Sequence, residues 1–250
     1  MGSKPLVRPP RLASGSRIGL VAPAGPLLER DDLTRAQELC RALGYQPVLG
    51  KNAHRRFGYF AGTDDERLAD LNTAVRDSSI DAIWCIRGGY GSLRLLDQVD
   101  YAAMAERPKA LIGFSDATAL LNAIQRLTGV VTFHGPVARA SMTAFSRMHW
   151  ERVLTAAVAP GRLGRIPLPP DVLIPQDNRI VSLCGGVAEG PLAGGNLTLL
   201  QCLIGTPYFP ELAGAILFLE DVGEDLYRVD RMLAHLRLIG ALRRLAGGLV

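Results

Sequence analysis

The run Gly113-Phe114-Ser115-Asp116-Ala117 has the residue types of a strand-to-helix turn that presents a nucleophile. A serine at such an elbow holds its hydroxyl above the sheet, and the amide that follows it faces the same space. Amides at the start of the next helix stabilise an oxyanion, usually the largest single catalytic contribution. Ala117 replaces the second glycine of the elbow pattern, and the run also reads as a plain helix start capped by Ser115 or Asp116. A second candidate is Arg87-Gly88-Gly89-Tyr90-Gly91. Its glycines allow close backbone approach, so it is either an amide donor beside Ser115 or a tight turn needing positive φ. Arg94 stands where the third glycine of a dinucleotide fingerprint belongs, so that motif is incomplete.

A serine nucleophile needs a base. Of the four histidines, His54 lies in a basic loop, His149 beside Trp150 in an amphipathic helix, and His235 in a late helix. These read as solvated or structural. His134 follows the apolar run Val130 to Phe133, the next strand after the elbow. Adjacent strand ends lie about 5 Å apart, so spacing alone makes His134 the candidate base or a residue lining the site. Glu220 closes another apolar run and is placed to orient an imidazole through its second nitrogen. The alternative, a carboxylate opening the next helix, suits Glu224 better than Glu220.

The elements that must position these groups follow a repeating order. Apolar runs at 17–22, 46–49, 81–86, 109–113 and 130–133 alternate with helical patterns at 30–43, from Thr63 through the apolar face Leu68, Leu71 and Ala74, at 116–127 and at 146–158. Thr63 and Glu66 form a capping box at the second helix. Strands alternating with helices predict an α/β fold, a flavodoxin-like parallel sheet with helices on both faces and functional loops at its C-terminal edge. Residues 1–16 read as a lead and 17–158 as the first domain. Prolines at 160, 167, 169, 170 and 175 mark 159–178 as a linker. Residues 179–250 form a smaller α/β unit: an extended stretch near 179–183, Gly194-Gly195-Asn196 opening a helix, a strand at 214–219 and a helix at 225–239. Gly247-Gly-Leu-Val begins a further strand, so this unit is expected to be incomplete.

At 250 residues, 48% hydrophobic and 21% charged, the chain has ample material for a core, which excludes global disorder. A net charge of +4, dispersed, with 6% aromatics, argues against nucleic-acid partners. Cys40, Cys85, Cys184 and Cys202 lack metal-ligand spacing, so no metal is expected, and all but Cys184 sit in apolar surroundings that read as core. No apolar run is long enough to span a membrane, and the N-terminus lacks a signal-peptide core, which points to the cytoplasm.

Several blocks occur in order along the chain: Phe60-Ala-Gly-Thr-Asp-Asp-Glu-Arg-Leu68, Ile86-Arg-Gly-Gly-Tyr-Gly91, Ile112-Gly-Phe-Ser-Asp-Ala-Thr-Ala-Leu120, Thr132-Phe-His-Gly-Pro136, Gly194-Gly-Asn-Leu197, Ile204-Gly-Thr-Pro207 and Phe218-Leu-Glu-Asp-Val-Gly-Glu224. Together they resemble the LD-carboxypeptidases of murein recycling, a serine-peptidase family that includes the microcin-immunity peptidases. The resemblance implies a cytoplasmic homodimer that needs no metal or cofactor and releases terminal D-alanine from a murein-derived peptide. It places the nucleophile on Ser115, the charge-relay carboxylate on Glu220 and the oxyanion donors on the Gly89 and Asp116 amides. The family's histidine lies further along the chain than any histidine here, and His134 belongs to a block near the site. The resemblance therefore implies weak or absent hydrolysis by these 250 residues. Three other readings remain: a peptidyl-nucleotide immunity peptidase, a non-catalytic module binding an anionic ligand, and a nucleotide-dependent α/β enzyme, which the incomplete dinucleotide motif and the absent P-loop disfavour.

Overall fold

The computed structural model describes residues 4–156, 161–162, 164, 167 and 181–250. Five parallel strands form the first sheet in the order β2-β1-β3-β4-β5: β1 (Arg17–Val21), β2 (Gln46–Leu49), β3 (Ala82–Cys85), β4 (Ala110–Gly113) and β5 (Phe133–His134). Alternation along β3 sends Ile83 and Cys85 to one core, and Ala82 and Trp84 to the other. The sheet is thus buried on both faces by helices α1 (Asp32–Ala42), α2 (Asp64–Arg76), α3 (Tyr101–Glu106), α4 (Thr118–Thr128) and α5 (Ala144–Leu154). The capping box forms: Thr63 Oγ1 accepts from Glu66 N–H at 3.2 Å, and Glu66 returns the bond to Thr63 N–H at 2.9 Å.

A second, three-stranded parallel sheet has the order β6-β7-β8, with β6 (Leu192–Asn196), β7 (Ile216–Glu220) and β8 (Gly247–Leu249). Helices α6 (Leu197–Leu203) and α7 (Leu226–Leu238) share its apolar core. The α/β class and the parallel central sheet are as the sequence predicts, with a smaller second sheet beside it. Among the described residues no helix is long and apolar enough to cross a membrane.

Several local expectations change. Gly194 and Gly195 do not open the helix; they close strand β6, and Asn196 caps α6 by accepting from Leu199 N–H at 3.1 Å. Residues 130–133 do not form one strand: Val130 bridges to Val7 of the N-terminal lead, and β5 begins at Phe133. Cys202 is exposed rather than core, while Cys40 and Cys85 are buried as expected. Leu226 is also exposed, leaving Met232 and Leu236 as the buried face of α7. Most of the proline-rich stretch at 159–178, and the start of the extended stretch near 179–183, lie outside the described residues.

Candidate active site

Ser115 sits where β4 ends, in a 3-10 turn (Ser115–Ala117) that leads into α4. Its φ of 60° makes it the one non-glycine with a left-handed backbone among the described residues. That conformation is costly for a residue with a Cβ, and it is the strain a nucleophile elbow stores. Gly88 lies directly against it: a Cβ at Gly88 would fall 2.9 Å from Ser115 Cβ and 3.1 Å from Oγ. Gly89, at φ 116°, packs on Gly25, where a Cβ would come within 2.7 Å of Gly25 Cα. No side chain fits at either position, so the loop's backbone reaches the serine.

The glycine loop is held from below. Asp116 is buried, and its carboxylate accepts from Ser92 N–H at 2.8 Å and from Gly91 N–H at 3.3 Å. Ser92 Oγ donates back to the Asp116 carbonyl at 2.5 Å. Burial raises the Asp116 pKa, and these hydrogen bonds work against that rise. Arg67, also buried, donates to Gly91 O at 3.0 Å, to Pro23 O and to Asp64. These bonds tie the elbow to the loop.

His134 lies beside the elbow, because Gly113 and His134 are register partners between β4 and β5. Its ring is flanked edge-on by Phe114 and Phe218, at centroid distances of 6.2 and 5.2 Å. Burial pulls its pKa down to about 4, so the ring is neutral at pH 7. Glu220 ends β7 with its Oε1 3.8 Å from His134 Nε2, beyond hydrogen-bond length. Both Glu220 Oε1 and His134 Nδ1 are buried without a hydrogen-bond partner among the described residues. Burial and the neighbouring Asp221 charge raise the Glu220 pKa, which an Asn196 hydrogen bond partly offsets. At Asp221, burial is outweighed by bonds from Thr198, Val222 and Asn196, and the pKa falls.

The second sheet reaches the elbow through Asn196, Thr118 and Asn122, none of which has a residue type or spacing that marks it as a site residue. Asn196 N–H donates to Thr118 Oγ1 at 3.1 Å, and Asn122 Nδ2 donates to Gly194 O at 2.9 Å. Asn196 is the register partner of Glu220, so these contacts set that carboxylate's position relative to α4. A Cβ at Gly195 would fall 2.7 Å from Thr118 Cγ2 and 3.3 Å from His134 Nδ1. The usable signal was the glycine pair within an apolar stretch, which marks close backbone approach. The structure thus brings Ser115, Gly89, Asp116, His134 and Glu220 to one edge of the molecule. His54 and His235 belong to other regions, and His149 packs edge-on against Phe145.

Comparison with known proteins finds matches along both parts of the chain. Residues 18–135 match the LD-carboxypeptidase N-terminal domain, and residues 189–250 match the LD-carboxypeptidase C-terminal domain. The chain is 39% identical to the murein tetrapeptide carboxypeptidase of Pseudomonas aeruginosa, over 88% of this chain and 71% of that protein. An MccF-like protein from Bacillus anthracis has a similar structure: TM-score 0.83 at 30% identity, over 97% of this chain and 79% of the other. A muramoyltetrapeptide carboxypeptidase from Oxalobacter formigenes superimposes with TM-score 0.73 at 31% identity, covering 92% of this chain and 74% of its own.

Proposed function

The chain belongs to the LD-carboxypeptidase family, and from that premise we propose a serine-type peptidase that releases terminal D-alanine from murein tetrapeptide. The observation that carries this reading is the strained Ser115 turn pressed against the bare backbone of Gly88 and Gly89. In this reading residues 17–158 supply the nucleophile, residues 179–250 supply the carboxylate, and the enzyme works as a cytoplasmic homodimer.

Ser115 Oγ attacks the scissile carbonyl and its proton passes to a histidine that Glu220 orients. The oxyanion is met by the Gly89 and Asp116 amides. The histidine returns the proton to the departing amine, D-alanine leaves, and an acyl-enzyme remains. Water then attacks the ester by the same route and frees Ser115. His134 is a poor base for this task, because a group with a pKa of about 4 accepts protons weakly at neutral pH. It lines the site instead. None of the histidines here fills the family's histidine position, so slow or absent turnover is expected of these 250 residues alone.

The test is D-alanine release from L-Ala-γ-D-Glu-meso-diaminopimelate-D-Ala, measured together with peptide binding by calorimetry. Saturable binding is expected, with only residual release that Ser115→Ala removes. Rapid release abolished by His134→Ala would make His134 the base. The likeness to the microcin C7 self-immunity protein MccF, solved in complex with aspartyl sulfamoyl adenosine, supports a second reading, a peptidyl-nucleotide substrate. Binding of an aminoacyl sulfamoyl adenosine but not of the tetrapeptide would select it.

A further inference from the structure

One charged cluster at the C-terminal edge of the first sheet has no part in the proposed chemistry. Asp32, wholly buried at the start of α1, accepts from Leu28 N–H at 2.9 Å and Glu29 N–H at 3.1 Å through Oδ2. Its Oδ1 accepts from Arg139 Nη1 at 3.3 Å. Arg139 arrives because the chain after β5 turns back across the sheet: Ala138 N–H donates to Cys85 O at 2.9 Å, and Arg139 N–H to Ile86 O at 3.2 Å. Arg139 Nε is buried and has no hydrogen-bond partner among the described residues. Arg87 leaves β3 beside it and lays its guanidinium over the loop after β1, donating to Pro26 O. The Arg87 charge interacts with both Arg139 and Asp32. Among the described residues Arg87 has no ion pair, and Asp32 already bonds through both oxygens. Two guanidiniums against one carboxylate leave surplus positive charge.

The cluster adjoins the reacting serine. A Cβ at Gly25 would lie 3.2 Å from Gly89 Cα and 3.7 Å from Arg87 Nη1, so the guanidinium borders the loop that flanks Ser115. With β1 next to β3 and β3 next to β4, the separation is one to two strand spacings, roughly 5–10 Å. A carboxylate one residue from the scissile carbonyl lies about 4 Å from it. A charge-assisted hydrogen bond adds about 2.8 Å, so the reach matches.

We propose that Arg87 and Arg139 form a receptor for a carboxylate of the peptide substrate. This rests on the peptidase reading and adds to it the group that selects an acidic peptide. The tetrapeptide has three carboxylates to offer: the terminal D-alanine, the diaminopimelate side chain and the γ-glutamyl α-carboxylate.

Calorimetric titration of the native chain with the tetrapeptide, and with three analogues each lacking one carboxylate, tests this without relying on turnover. The analogues are the terminal carboxamide, the lysine-for-diaminopimelate peptide and the isoglutamine peptide. One analogue is expected to bind about tenfold or more weakly, naming the carboxylate held. Arg87→Gln should weaken the parent peptide by a similar factor without further weakening that analogue. Arg139→Lys, which keeps the charge beside Asp32 but loses the fork, should weaken it less. Equal binding of all four peptides, or no effect of either variant on the parent, overturns the receptor and leaves the peptidase reading intact. Failure of the parent peptide to bind the native chain overturns both.

Discussion

Replacing Gly195 with alanine tests the junction between the two sheets. Gly195 has φ +125°, and an added Cβ would lie 2.7 Å from Thr118 Cγ2, 2.8 Å from Thr118 Oγ1 and 3.3 Å from His134 Nδ1. Carbon atoms in contact settle at about 3.5–4.0 Å, so either β6 or the buried Thr118 must shift. The left-handed backbone costs roughly 1–2 kcal/mol for alanine. Overpacking adds about 1–3 kcal/mol. Gly205 separates the two costs: its φ is +83°, yet nothing lies within 4 Å of its would-be Cβ. Gly205→Ala therefore carries the backbone cost alone. For a chain of this size each kcal/mol moves the melting temperature by about 2–4 °C, so Gly195→Ala should melt about 2–12 °C below Gly205→Ala. Thermal unfolding followed by circular dichroism, with the two variants side by side, measures the difference. If Gly195→Ala melts at or above Gly205→Ala, the junction is not tight and the placement of Glu220 by contact fails with it.

Other perturbations address the elbow and the imidazole. Ser115→Gly should melt about 2–4 °C above Ser115→Ala, because glycine removes roughly 1 kcal/mol of left-handed strain that alanine keeps. Identical melting of the two variants would mean the turn is unstrained. Asp116→Ala leaves two buried N–H groups, those of Gly91 and Ser92, without their acceptor. The expected loss is about 1–3 kcal/mol, read as a lower denaturant midpoint, and an unchanged midpoint would show that the loop is held by other means. The His134 pKa falls from 6.5 to about 4 on folding, so between those values the unfolded chain holds more protons and stability decreases as pH falls. The loss approaches roughly 3 kcal/mol below pH 4, and His134→Gln should remove it. A His134 ring resonance titrating near pH 6.5 in the native protein would contradict its burial.

Much of the first sheet was legible because burial on both faces writes continuous apolar runs such as Ala82-Ile-Trp-Cys85, and helices between them carry their own punctuation. The Thr63 and Glu66 box is local chemistry and forms as read. The elbow was legible for the same reason: a strand end, a serine and a helix start are contiguous. Strand β6 was not, since Gly194 and Gly195 weaken every strand signal, and only their contact with Thr118 and Phe218 explains them. The Arg87, Arg139 and Asp32 cluster joins residues far apart in sequence through a loop that doubles back, which no spacing rule encodes. Apolar surroundings in sequence also misplaced Cys202, because neighbours along a helix do not decide which face is covered.

The location of Glu220 shows why the junction between the sheets is polar. Its carboxylate and Ser115 come from separate sheets, so no covalent path shorter than a hundred residues fixes their geometry. Apolar contacts alone would bring the sheets together but tolerate sliding, since hydrophobic attraction is non-directional. A one-residue slip of β7 against β6 would turn Glu220 to the opposite face. The bonds from Asn196 N–H to Thr118 Oγ1 and from Asn122 to Gly194 O instead fix β6 against α4, because each is buried and would be left unpaired if β6 slid, and the pairing of Asn196 with Glu220 carries that placement to β7. Thr118 begins the helix that follows the Ser115 turn. The chain of contacts from nucleophile to carboxylate therefore runs through one turn of α4, two directional hydrogen bonds and one strand pair. Apolar burial supplies the attraction between the sheets, and these few polar groups supply the alignment.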